Sequence, residues 1–226
     1  MLLNPIQRQK LDGGNDREFY DTPRFVTHVD AGFIDRLTCL YRERLSPNLR
    51  IFDMMSSWVS HLPSEMKFEY IQGHGLNEQE LAKNPQFDSY FVQNLNQDLK
   101  LPLETESFDA VLNTVSVQYL QYPEAIFAEV HRILKPNGIA IFSFSNRMFY
   151  NKAIAAWRDS SETDRVELVK SYFNSVAGFS TPEAIVQVSQ FPELLRWMGA
   201  GGGDPFYAVI AQKIAVLPNL LCRVKY

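Results

Sequence analysis

The sequence is short of cysteine: Cys39 and Cys222 are the two present in 226 residues, and they stand far apart. That excludes a disulfide framework and any cysteine-based metal spacing, so no metal site is expected. A reduced, cytoplasmic protein is expected, with each thiol a small apolar filler. Long hydrophobic runs are missing too. No stretch approaches the roughly 20 apolar residues of a membrane span. The opening MLLNPIQRQK has no apolar core of the length a signal peptide needs. A basic excess is absent, since 22 Lys and Arg stand against 26 Asp and Glu, a formal net charge of -4. Neither a nucleic-acid backbone nor an anionic membrane surface is therefore the expected main partner. There is no internal repeat. The last shortage is local. Phe52 to Pro63, FDMMSSWVSHLP, has no glycine, although it follows an apolar segment and opens on an aspartate.

What is present is regular. Hydrophobic residues make up 46% and charged residues 21%, an ordinary balance for one soluble domain of this length. A single domain over residues 1–226 is expected, with an N-terminal lid and helix at 1–46, loose at its start, and a helical lid insertion at 147–180. From Asp30, the apolar positions Phe33, Ile34, Leu37, Leu40 and Tyr41 have helical spacing, and Pro47 follows their end. NLRIFDM reads as a buried strand with a short helical segment after it. KFEYIQGHG reads as a second strand. In NEQELAKNP, Asn77 is placed to cap a short helix, with Glu80 completing a capping box. YFVQNLN and FDAVLNT are further strands. Ile126, Phe127, Val130, Ile133 and Leu134 mark an amphipathic helix that ends in KPNG, and IAIFSFSN is a central strand. PEAIVQVSQ and FYAVIAQKIAV close the order, with MGAGGGDP between them read as a linker. Strands alternating with helices predict a mostly parallel α/β sheet covered on both faces. Its ligand crevice is expected at the carboxyl ends of the strands.

The block LPLETESFDAVLNTVSVQYLQYPEAIFAEVHRILKPNGIAIFSFSNR resembles the central part of class I S-adenosylmethionine-dependent methyltransferases, especially the small-molecule type similar to the ubiquinone-biosynthesis C-methyltransferases. The resemblance covers roughly residues 20–213. It implies a Rossmann-like, seven-stranded sheet with helices on both faces, S-adenosyl-L-methionine as cofactor and methyl transfer to a small-molecule acceptor. Cofactor-binding residues carry over by position. Asp53 matches the acid that opens the family's first motif, and the family's glycines fall on Met55, Ser57 and Val59. Ser56 and Ser57 then either donate to the cofactor carboxylate, helped by a helix N-terminus, or cap that helix. Gly75 stands where the family has an acid for the ribose, with Asn77 or Glu78 as shifted replacements, and Leu76 supplies an apolar wall for adenine. Asn94 aligns with the acid that meets the adenine amino group, with Asp98 as fallback, and Leu95 offers a backbone amide. Thr114 and Val115 line the sulfonium end.

The family has no fixed catalytic residue to carry over, because alignment of the acceptor with a sulfonium methyl supplies much of the rate. His28, Tyr119 and Arg147 are the residues placed to act on a substrate: a base suited to neutral pH, a hydroxyl and an anion-binding guanidinium. Ser116, Gln118 and Asn146 face the same crevice. Tyr20 reads as a cofactor cover or a hydrophobic anchor, Trp58 as a filler of the space the glycines left, His61 and His74 as loop-end residues, and His131 as solvated. Two rivals remain. A non-catalytic domain of this fold, binding a metabolite or protein partner, fits the missing glycines. An oxidoreductase reading of GHG lacks the third glycine of that fingerprint.

Overall fold

The computed structural model describes residues 2–188 and 203–215. Cys222, the C-terminal part of the closing segment and most of MGAGGGDP lie outside the described residues. The elements run α1 (Asp16–Phe19), α2 (Ala31–Arg44), β1 (Arg50–Asp53), β2 (Tyr70–Gly75), α3 (Glu78–Ala82), β3 (Ser89–Val92), β4 (Phe108–Thr114), α4 (Pro123–Ile133), β5 (Leu134–Phe144), α5 (Ala155–Arg158), α6 (Glu162–Asn174), β6 (Glu183–Gln187) and β7 (Phe206–Gln212). The strands form one seven-stranded sheet in the order β3-β2-β1-β4-β5-β7-β6. β1 to β5 are parallel and β7 is antiparallel to both neighbours. The expected Rossmann-like sheet is therefore present, and its order reverses between β1 and β4.

Alternation along the strands builds two cores. Phe52, Val111, Ala140, Phe142 and Val209 face α4 and α6. Ile51, Ala110, Leu112, Ile141 and Ala208 face α2. The Asp30 carboxylate accepts from the Phe33 N–H and caps α2 as its sequence predicts. α4 buries Ile126, Phe127, Val130 and Ile133, and it ends at Ile133, before KPNG. Residues 135–138 instead form an irregularity in β5 opposite Phe108 and Ala110, with Asn137 at φ 65°. A β-carbon on Gly138 would lie 2.8 Å from the Lys135 carbonyl, so glycine is required there.

Four expectations need correction. No helix follows β1: residues 54–69 run to β2 as turns and extended chain. The opening residues are docked, with Leu3 in the core and the Gln7 and Gln9 carbonyls accepting from Ala156 and Ala155. Cys39 is exposed rather than an apolar filler. His131 is not solvated: its ring packs edge-on against Phe179, and its Nε2 lies where a β-carbon on Gly178 would meet it at 2.5 Å. Within residues 147–180, α6 packs Val166, Val169, Tyr172 and Phe173 into the core, while the stretch ahead of α5 faces the crevice.

Candidate active site

The carboxyl ends of β1, β2, β3, β4 and β5 open into one cavity of about 740 Å3. All ten residues expected to hold the cofactor line it: Asp53, Met55, Ser56 and Ser57 from β1 and its loop, Gly75 and Leu76 after β2, Asn94 and Leu95 after β3, and Thr114 and Val115 after β4. His28, Tyr119 and Arg147 line it too, as do Tyr20, Trp58, His61, His74, Ser116 and Asn146. Gln118 and His131 do not belong to this lining.

The β1 loop keeps its shape through side chains rather than through glycines and a helix. Met55 takes φ 55°, in the left-handed region that a glycine would enter freely. Its N–H donates to His74 Nδ1 at 3.1 Å, and the Ser56 N–H donates to the His74 carbonyl at 2.7 Å. His74 Nε2 then carries the proton and donates to the Gln93 carbonyl at 2.9 Å. One buried residue of β2 thus ties the loops after β1 and β3 to the strand between them. Burial lowers its pKa to about 4, so it is neutral. Gly75 admits the same loop, since a β-carbon there would lie 2.5 Å from the Ser56 carbonyl.

With no helix to start, Ser56 and Ser57 cap nothing. The Ser56 hydroxyl donates to Asp53 Oδ2 at 2.7 Å and the Ser57 hydroxyl to Glu80 Oε2 at 2.5 Å. Burial pushes the Asp53 carboxyl up to about 7, against the bonds from Ser60 and Ser56 that favour its ionised form. Trp58 does not fill the core; its indole N–H donates to the Val26 carbonyl at 3.2 Å and holds the N-terminal segment over the loop. After β2, Asn77 Oδ1 accepts from the Glu80 N–H, as a cap should. The Glu80 carboxylate does not return the bond. It accepts instead from the Arg24 N–H at 2.6 Å and from Ser57.

The remaining walls are mixed. Asn94 Oδ1 accepts from the Asn96 N–H at 3.0 Å. Thr114 meets the Tyr41 hydroxyl at 3.1 Å, and Val115 sits at φ 45° with its N–H on the Ser143 carbonyl. The Ser116 hydroxyl is buried without a partner among the described residues. His28 stacks edge-on with Phe149, and burial lowers its pKa, so it is neutral at pH 7. The Tyr119 hydroxyl accepts from the Phe149 N–H at 2.9 Å, and burial raises its pKa. Arg147 donates to Asp204 Oδ1 at 2.6 Å, and the backbone N–H groups of Asp204 and Asp30 each donate to the other's carboxylate. Among the described residues no group of three His, Cys, Asp or Glu side chains is arranged to hold a metal ion.

Sequence reasoning missed Lys10, Asp16, Arg24, Glu80 and Lys152, all of which line the cavity. Lys10 meets Asp16 at 2.7 Å and Lys152 meets it at 3.4 Å, all three nearly buried. Lys152 and Glu80 reach partners far along the chain, and the Lys10–Asp16 pair, six residues apart, belongs to no recognisable motif.

The family model described as a methyltransferase domain matches residues 71–142. Over those residues, less than half of its length, the chain is similar to a methyltransferase domain. A 60-residue segment is 37% identical to the biotin biosynthesis bifunctional protein BioHC of Saccharophagus degradans, covering 26% of this chain and 11% of that one. The match therefore spans a small part of that relative. Among solved structures, phosphoethanolamine N-methyltransferase 2 of Haemonchus contortus is similar over 90% of this chain and 61% of that one, with a TM-score of 0.61 and 15% identity. A methyltransferase from Mesorhizobium loti covers 77% of this chain and 96% of its own, with a TM-score of 0.51 and 20% identity. The cyclase SpnF covers 80% and 82%, with a TM-score of 0.58 and 18% identity. At these identities the structural likenesses speak for the fold. The loop after β1 departs from a glycine-built loop in having Met55 at the left-handed position and a histidine as its anchor.

Proposed function

We propose that this chain transfers a methyl group from S-adenosylmethionine to a small-molecule acceptor in the cytoplasm. The observation that supports the reading is that the ten residues expected from the resemblance to meet the cofactor all line one cavity. Its volume falls within the roughly 300–1,000 Å3 of small-molecule and cofactor sites. The buried, unanswered Ser116 hydroxyl in its wall fits a site completed by a ligand. When bound, S-adenosylmethionine supplies an electrophilic methyl on sulfur. Asp53 and the Met55–Ser57 loop would flank its amino-acid end, Gly75 and Leu76 its ribose and adenine, Asn94 and Leu95 its adenine edge, and Thr114 and Val115 its sulfonium.

His28 is then the group best suited to take a proton from an acceptor, being neutral and on the cavity wall. Tyr119 keeps its proton and serves as a donor, while Arg147 is engaged with Asp204 and orders the rim. Residues 146–152 and the segment around Tyr20 form the lid. The cytoplasmic assignment is supported by the sparse cysteines and the exposed thiol of Cys39. Among the described residues no helix is long and apolar enough to cross a membrane.

The test is calorimetric titration with S-adenosylmethionine and S-adenosylhomocysteine, followed by methyl incorporation across a panel of small acceptors. Micromolar binding of both and labelling of an acceptor are expected. A folded protein that binds neither would overturn the reading and favour the non-catalytic domain.

A further inference from the structure

The donors that open the β1 loop are already engaged. The N–H groups of Met54, Met55 and Ser56 are bonded to Leu112, His74 Nδ1 and the His74 carbonyl. The Ser56 and Ser57 hydroxyls donate to Asp53 and Glu80. No helix begins here to present free N–H groups and a positive dipole. Arg24 stands beside this loop because one carboxylate spans both: Glu80 accepts from the Arg24 N–H at 2.6 Å and from Ser57 at 2.5 Å. The guanidinium is held over the rings of Phe19, Phe149 and Tyr20, at 4.8, 5.4 and 5.7 Å. Its Nη2 donates to the Phe19 carbonyl, while its Nη1 is buried with no acceptor among the described residues. No carboxylate among the described residues pairs with this side chain. A charged, ring-held donor with an unmet bond, on the wall of a cavity, calls for an oxyanion.

We propose that Arg24 receives the carboxylate of the cofactor's methionine moiety, replacing the glycine loop and helix N-terminus that this chain lacks. The inference rests on reading the cavity as the S-adenosylmethionine site. Arg24 would act by a charge-assisted contact that only the carboxylate makes, so it should leave the adenosine and sulfonium contacts unchanged.

The experiment compares S-adenosylmethionine with decarboxylated S-adenosylmethionine, which lacks only that carboxylate, by calorimetry on the full chain. The wild type should bind the complete cofactor about ten- to a hundredfold more tightly. Arg24→Met should lose that preference and leave the affinity for the decarboxylated compound within about twofold. Arg24→Lys should restore part of it. Equal loss for both compounds, or no loss for either, would overturn the proposal, and so would a wild type that binds both alike. The wild-type comparison decides even where a variant fails to fold. A wild type that binds neither compound overturns the cavity reading itself, a result distinct from an unchanged Arg24→Met.

Discussion

The two crossovers flanking the centre of the sheet solve the same problem differently. Between β4 and β5 the chain forms α4, whose apolar stripe packs on the sheet and brings Thr114 to Ser116 to the crevice. Between β1 and β2 it forms no helix, and residues 54–69 are held by bonds to groups on other elements. The first is stabilised by non-directional burial, the second by directed polar contacts. Burial tolerates small changes in shape, whereas the second arrangement fails when one donor or acceptor is removed. The connection between β1 and β2 is therefore the region in which stability and the shape of the cavity wall are most tightly coupled.

The largest effect should come from removing the histidine of β2 that holds the loops after β1 and β3. His74→Ala would strand the Met55 N–H and the Gln93 carbonyl and leave a cavity, a loss of about 2–4 kcal/mol in denaturant unfolding. Cofactor affinity of the remaining folded protein should fall with it. Ile126→Ala in α4 should cost a comparable ~2–5 kcal/mol while leaving that affinity unchanged. Equal loss of affinity in both variants would erase the distinction between the crossovers. Gly75→Ala, whose β-carbon would press on the Ser56 carbonyl, should cost about 1–3 kcal/mol and also weaken binding.

A pH series sharpens the comparison further. Asp53 holds its proton to about 7 when folded against 3.8 for the free group, so its stabilising contribution is full below 3.8 and is lost as pH rises to 7. His74 works the other way: at about 4 folded against 6.5, its contribution is full above 6.5 and is lost as pH falls to 4. The two slopes oppose each other across the shared window. Asp53→Asn should therefore make stability climb with pH between about 4 and 7 relative to the wild type. Parallel curves would show that Asp53 does not hold its proton. The smallest effect is expected for Met55→Gly. Relief of the left-handed backbone offsets the added chain entropy and lost packing, so stability should change by less than about 1 kcal/mol, measured by thermal melting.

Much of the α4 crossover was legible because its signals are local: apolar spacing in Ile126 to Ile133, and strands of uniform hydrophobicity on either side. The β1 loop was legible only in position. Asp53 and Gly75 could be placed by alignment with the family, but the missing helix could not be foreseen from a motif that normally precedes one. Glu80 shows why. Its spacing from Asn77 predicts a capping box, yet its carboxylate bonds Arg24, 56 residues away, and Ser57, 23 residues away. Lys152 reaches the Gly14 carbonyl across 138 residues.

By itself, then, the sequence determined the order of the strands, the helices flanking β4 and β5, the alternating faces of the sheet and the end of the sheet at which the cavity opens. Those follow from periodicities that each segment carries alone. Only the tertiary structure decided what holds the glycine-free loop: a buried neutral histidine on β2 and a carboxylate, that of Glu80, shared with the N-terminal segment. Each of these acts through a hydrogen bond to a distant residue, and such bonds have direction and partners that no local pattern encodes.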